Sequence, residues 1–168
     1  MIVLGYIGDH KKDTLSVRLG WALVRIAQWR SGTYRKVTHT ELVLDGVTCR
    51  GATIASASIR DGGVRTKTVD LEPGNWIALE VPAWEPARGT ARAWFAQHDG
   101  EGYDAIGALA TRLWWLRQVI EKWFCNEADG AAVGLLDPAQ YLPAQFFAIA
   151  ASLPGTRDVT AEFFGSSK

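Results

Sequence analysis

Residues 37–46 read Val-Thr-His-Thr-Glu-Leu-Val-Leu-Asp-Gly, a run of branched and apolar side chains closed by Asp45-Gly46. A run of this kind is a β-strand ending in a hairpin turn, and it commits the middle of the chain to an antiparallel sheet. The expected partner strand is Val47 to Ile54. Gly62-Gly63 marks another turn, followed by expected strands at Val64 to Val69 and Trp76 to Val81, and residues 2 to 7 supply one more short strand. Helical spacing surrounds these strands. Leu15, Leu19, Ala22, Leu23 and Ile26 predict a helix from Thr14 to Trp29, with Asp13 placed to cap it. Thr90 to His98 reads as a helix that buries Trp94 and Phe95, and Leu109, Leu113, Leu116, Ile120 and Trp123 lay one apolar stripe along a further helix, interrupted before Trp123. A last helix is expected at Ala144 to Ser152, after Pro138 and Pro143. The order helix, antiparallel strands, helices is that of an α+β domain.

The chain has 168 residues, which suits a single domain over 1–168. Its hydrophobic share of 48% is too high for a disordered chain, and no apolar run approaches the roughly 20 residues of a membrane-spanning helix. Apolar residues precede Lys11 and Lys12, the reverse of a secretory signal, so no signal peptide is expected and cytoplasmic synthesis is. Eighteen basic residues balance eighteen acidic ones, which leaves nucleic-acid binding without a global charge to drive it. The basic stretch formed by Lys11, Lys12, Arg18, Arg25, Arg30, Arg35 and Lys36, against the single acid Asp13, reads as a solvated helix face. Two cysteines allow one bridge at most and read as free thiols. Eight tryptophans are a surplus that implies a wide apolar surface.

Few side chains can serve as nucleophile or base. His10 lies in a polar, lysine-flanked segment and reads as solvated. His39 and Glu41 differ, because two-residue alternation puts them on one face of a strand, where a carboxylate can orient an imidazole. Cys125 precedes Asn126-Glu127-Ala128-Asp129, which could begin a helix. A thiol at a helix N-terminus is expected to be acidified toward the nucleophilic thiolate. Cys49 reads as a structural, mid-strand cysteine and stays the rival nucleophile, with His98 as its partner in an unpermuted order. A metal site on His39 and Glu41 lacks a second His or Cys at ligand spacing, so no metal is expected and no cofactor is implied.

Taken in order, Val37-Thr38-His39-Thr40-Glu41-Leu42-Val43-Leu44, Gly62-Gly63-Val64-Arg65, Val81-Pro82, Gly102-Tyr103-Asp104-Ala105-Ile106-Gly107 and Trp123-Phe124-Cys125-Asn126-Glu127 resemble the circularly permuted NlpC/P60 cysteine hydrolases. Within that family the pattern resembles the YiiX-like proteins and their phage or prophage relatives, and the resemblance spans about two-thirds of the chain. It implies a permuted papain-like domain in which the strand histidine precedes the helix cysteine. By that likeness His39 is the base, Cys125 the nucleophile, and Tyr103 lines the substrate site. The group that orients the imidazole is expected to be Glu41, with Thr53 and Ser56 as alternatives. The chain departs from the relatives after the cysteine: Asn126-Glu127-Ala128-Asp129-Gly130 stands where they show Ser-Glu-Leu-Val.

The chemistry so implied is attack of Cys125 on an amide or ester carbonyl, with an acyl-thioester resolved by water. The expected substrate is a peptidoglycan-type peptide. A lipid acyl substrate is the second reading, favoured by the aromatic surplus, by Leu113-Trp114-Trp115-Leu116 as a groove wall, and by the basic helix. A catalytically silent phage structural or assembly module is the third. Nothing in the sequence bears on oligomeric state.

Overall fold

The computed structural model describes residues 1–8, 14, 18, 22, 24–26, 28, 32–104 and 122–165. Eight strands form one curled sheet: β1 (Ile2–Tyr6), β2 (His39–Asp45), β3 (Ala52–Ser58), β4 (Gly63–Val69), β5 (Trp76–Glu80), β6 (Gly102–Tyr103), β7 (Lys122–Trp123) and β8 (Arg157–Asp158). Their spatial order is β7-β6-β4-β3-β2-β1-β5-β8, antiparallel throughout except for the β6–β7 pair. The helices whose bounds fall among the described residues are α1 (Arg88–Gln97), α2 (Cys125–Ala132), α3 (Pro143–Ser152) and α4 (Thr160–Phe164). The fold is mixed α and β, with an antiparallel sheet packed against helices, as the element order predicts.

β2 lies near the middle of the sheet and is buried from His39 to Leu44. Alternation sends Leu42 and Leu44 into a core shared with Ala91 and Phe95 of α1, Ala128 and Ala132 of α2, and Phe146, Phe147 and Ala150 of α3. Val43 joins Leu4, Ile54, Trp76 and Ala78 in a second cluster on the other face, closed by Phe163 of α4. Helices on both faces explain why this strand reads as an almost unbroken apolar run beyond Glu41.

Several boundaries differ from the sequence reading. The partner of β2 begins at Ala52 rather than Val47, because Val47 to Gly51 form a loop after the hairpin turn and the β2–β3 register shifts between Val43 and Asp45. Cys49 therefore sits in a loop and not mid-strand; its amide bonds the Phe163 carbonyl at 2.8 Å. Phe95 is fully buried but Trp94 only partly, since it stacks on His98 at the end of α1. In the expected helix from Thr14 to Trp29, the described Arg18, Ala22 and Val24–Ile26 are helical, with Arg18 N–H bonding Thr14 O at 2.9 Å. The apolar stripe over residues 109–120 and the tryptophan-rich residues 113–116 lie outside the described residues. Trp123 is in β7. Among the described residues no helix is long and apolar enough to cross a membrane.

The edge that carries Tyr103 depends on Gly63. Val64 N–H bonds the Glu101 carbonyl at 2.8 Å, and a Cβ on Gly63 would lie 1.9 Å from that same oxygen. Only glycine allows β6 this close to β4. Gly63→Ala is expected to force the strands apart and to destabilise the fold by about 1–3 kcal/mol, the usual cost of overpacking a fitted contact. Urea unfolding measures it, and an unchanged midpoint would show that the β4–β6 contact contributes nothing to stability.

Candidate active site

Strand alternation brings His39 and Glu41 onto one face of β2, where the imidazole Nε2 lies 3.1 Å from Glu41 Oε1. Both side chains are buried. The surroundings of the ring include Tyr6, its partner across β1, and Trp76, whose ring centroid is 6.4 Å away. Arg65 on β4 reaches the same carboxylate across the small Ser56, which pairs with it in the ladder. Its Nη2 donates to Glu41 Oε1 at 2.7 Å, its Nη1 to the Ser56 carbonyl at 3.4 Å, and its Nε to Asp61 Oδ2 at 2.6 Å. Lys67 Nζ completes the group, 2.8 Å from Asp61 Oδ2.

These contacts set the charges. Burial lowers the His39 pKa by penalising the imidazolium; the Glu41 hydrogen bond and charge oppose this, while Arg65 and Lys67 reinforce it. Burial alone would raise the Glu41 carboxyl, but the Arg65 charge and the His39 bond override it and hold Glu41 at about 2. At neutral pH the group is therefore a carboxylate paired with a guanidinium, beside a neutral ring.

The cysteine arrives from the other direction. The β2–β3 ladder begins at Leu42 and Ala55, so His39–Glu41 and Ser56–Ser58 do not pair with one another, and the first residue of α2 meets both strands. The Cys125 carbonyl lies 3.5 Å from Ser56 Oγ. Its thiol lies beside the backbone and hydroxyl of Thr40, the residue between His39 and Glu41 that alternation turns the other way. Phe124 enters the helix in an extended conformation, and Glu127 Oε2 accepts its N–H at 3.4 Å, satisfying one of the amides a helix start leaves open. Cys125 is thus the first residue of a helix, as its sequence context predicts.

Its protonation is not as expected. Only 1% of Cys125 is exposed, and burial, followed by the neighbouring Asp129, pushes the thiol up to about 12. Desolvation of a thiolate outweighs the helix-start attraction of a fraction of a charge, so the thiol is neutral at pH 7. Asp129, one turn on and facing the same way, is fully buried. The Thr40 and Ser56 hydroxyls lie near it and oppose the effect of its burial. Both of its carboxyl oxygens lack a partner among the described residues, and burial raises its pKa well above the usual range.

The structure therefore joins His39 to Glu41 and sets Cys125 beside Thr40, with no hydrogen bond between the Cys125 thiol and the His39 ring among the described residues. Tyr103 is close enough to Cys125 that the thiol helps to raise its phenol pKa, after the larger effect of burial. Of the alternatives for the orienting group, Ser56 is at the site, whereas the Thr53 hydroxyl bonds Thr68 on an exposed part of the sheet at 3.0 Å. Cys49 and His98 belong to different places: Cys49 packs with Leu71 and Phe163, and His98 stacks on Trp94 at 4.0 Å. No group of three or more His, Cys, Asp or Glu able to hold a metal occurs among the described residues.

Arg65 and Asp129 are the site residues that sequence reasoning missed. Arg65 was visible only as the last member of Gly-Gly-Val-Arg, and Asp129 only through its four-residue spacing from Cys125. Comparisons of the chain with family models, with curated proteins and with solved structures return no match.

Glu127 offers a direct test of these electrostatics. Burial, with a contribution from Asp104, raises its pKa to about 7 even though the Phe124 amide opposes the shift. The ordinary glutamate value is about 4.3, so between these values the folded state holds a proton that the unfolded state has released. Stability must fall as pH rises through that window. Glu127→Gln keeps an oxygen for the Phe124 amide and removes the charge. It is expected to match the parent near pH 4 and to exceed it by about 2 kcal/mol at pH 8, from urea unfolding at both pH values. A difference that does not vary with pH would overturn this account.

Proposed function

We propose that the chain is a thiol hydrolase of the permuted papain-like, NlpC/P60 type, in which Cys125 attacks an amide carbonyl of a peptidoglycan-type peptide. One observation carries this reading: a buried His39–Glu41 pair shares its strand segment with Thr40, and Thr40 lies against a cysteine that opens a helix. The histidine comes earlier in the chain than the cysteine, as the permuted relatives require. Tyr103 beside the thiol fits a substrate-lining role.

The charges favour general-base chemistry over a preformed thiolate. With Nε2 donating to Glu41, the neutral His39 ring carries its lone pair on Nδ1, the nitrogen suited to take the thiol proton. Sγ attacks the carbonyl carbon as that proton moves to Nδ1, and the C–S bond forms while the carbonyl electrons move to oxygen. The Cys125 backbone N–H at the helix start is suited to the oxyanion. Collapse of the intermediate expels the amine, which takes the proton from His39; water then attacks the thioester with His39 again as base, the C–S bond breaks as the carboxylic acid leaves, and His39 returns the proton to Sγ. The chemistry requires Sγ and Nδ1 to come within hydrogen-bond reach when substrate binds.

A catalytically silent fold is the second reading, and the near-complete burial of Cys125 favours it. Iodoacetamide labelling across pH, read at Cys125 by peptide mapping so that Cys49 is scored separately, decides between them when paired with digestion of purified peptidoglycan and of short-chain acyl esters. On the hydrolase reading Cys125→Ser abolishes cleavage, and His39→Ala lowers both cleavage and Cys125 labelling by about 10²-fold or more. Cleavage of the esters alone moves the substrate to the lipid class. No cleavage, with Cys125 labelling that rises only toward pH 12 whether or not His39 is present, overturns the hydrolase.

A further inference from the structure

We infer that Arg65 is a positioning residue that sets the basicity of His39 by holding the shared carboxylate of Glu41. The imidazole and the guanidinium meet on one oxygen atom, Glu41 Oε1, at 3.1 and 2.7 Å. An acceptor already engaged by a full positive charge is a weaker partner for an imidazolium, so the arrangement stabilises the neutral ring and works against the protonated one. This is the reverse of a carboxylate whose only task is to raise the basicity of its histidine.

Arg65 is built to stay in place. It is 12% exposed, and each of its three nitrogens has an acceptor: Glu41, the Ser56 carbonyl and Asp61. Lys67 in turn holds Asp61, so the guanidinium is anchored from the side away from the ring. Among the described residues, the groups that face this pair come from β1, β5, β4 and α2. Tyr6 stands on β1, Trp76 on β5, Arg65 and Lys67 on β4, and Asp129 of α2 contributes a carboxyl to both Glu41 and Arg65. Burial favours the protonated form of Asp129, and among the described residues Arg65 is the cation that pairs with Glu41.

The inference rests on His39 being the base, but its readout is the titration of His39 itself. Imidazole NMR resolves three histidines, and His10→Gln and His98→Gln variants assign the remaining signal to His39. In the unaltered protein the His39 midpoint is expected below 6.5. Arg65→Gln is expected to raise it by about one pH unit, Arg65→Lys to restore most of the original value, and Asp61→Asn, which loosens the anchor, to give a smaller rise. The acid limb of Cys125 alkylation should move by the same amount.

A His39 midpoint at or above 6.5 in the unaltered protein overturns the inference with no variant needed, and so does a midpoint unmoved by Arg65→Gln. Should Arg65→Gln fail to fold, Arg65→Lys and Asp61→Asn carry the same comparison, and absence of a shift in both overturns it. A His39 midpoint that moves while Cys125 labelling ignores His39 retains the Arg65 role and removes the hydrolase. Labelling that needs His39, with a midpoint that ignores Arg65, does the opposite.

Discussion

A strand covered on both faces has no water to solvate its side chains, and β2 is such a strand. Three consecutive polar residues, His39, Thr40 and Glu41, are built into its buried run. A carboxylate in that position costs several kcal/mol unless a cation accompanies it, and removal of one partner from a buried pair typically costs about 3–5 kcal/mol. Arg65 supplies the cation from two strands away, over a serine small enough to let the guanidinium pass. The turn between β3 and β4, the acid at Asp61 and the small residue at Ser56 all serve that single crossing.

The same principle with the cation withheld governs α2. Cys125, Glu127 and Asp129 are buried along one helix, and no lysine or arginine forms an ion pair with any of them among the described residues. Desolvation therefore prevails, and each group favours its protonated form. Two regimes meet at the site: a carboxylate held ionised by its cation on the strand, and acids whose pKa burial raises on the helix. The helix N-terminus is a weaker influence than either, because its partial charge acts on a thiol that water does not reach. A helix-start cysteine is acidified where it is solvated or faces a cation; burial without a cation reverses the sign.

Strand positions were legible wherever period-two alternation and turn chemistry agreed. His39–Asp45, Gly63–Val69 and Trp76–Glu80 stand within two residues of where the sequence puts them, and so do the starts of α2 and α3. The β2 partner was misplaced because Val47 to Gly51 have branched residues in a segment whose geometry is set by the contact of Cys49 with Phe163, more than a hundred residues later. Alternation was also enough to put His39 and Glu41 on one face. It could not reveal Arg65, since a cross-strand contact depends on register, which two separated strands do not encode one at a time. Nor could it give the thiol's protonation, because burial is a property of everything packed around the helix and the helix signal alone points the other way.

The residues after the cysteine also fix how the next segment packs on α2. Gly130 leaves room for Pro138, whose Cβ would lie 2.7 Å from any Cβ added there, so the Pro138–Gln140 turn can settle directly on α2. Asn126 fastens the next residue, its Nδ2 donating to the Tyr141 carbonyl at 2.6 Å. A larger residue at 130 would lift this turn from the helix, and a shorter one at 126 would not reach it. The turn so fastened lies against the Asn126 and Gly130 side of α2, next to the side on which Cys125 and Asp129 are buried. Asp129, one turn after Cys125, is buried with it and raises the thiol pKa further. The helix is ordinary in its backbone; burial of its first residue, with Asp129 beside it, sets the protonation state in which any reaction must begin.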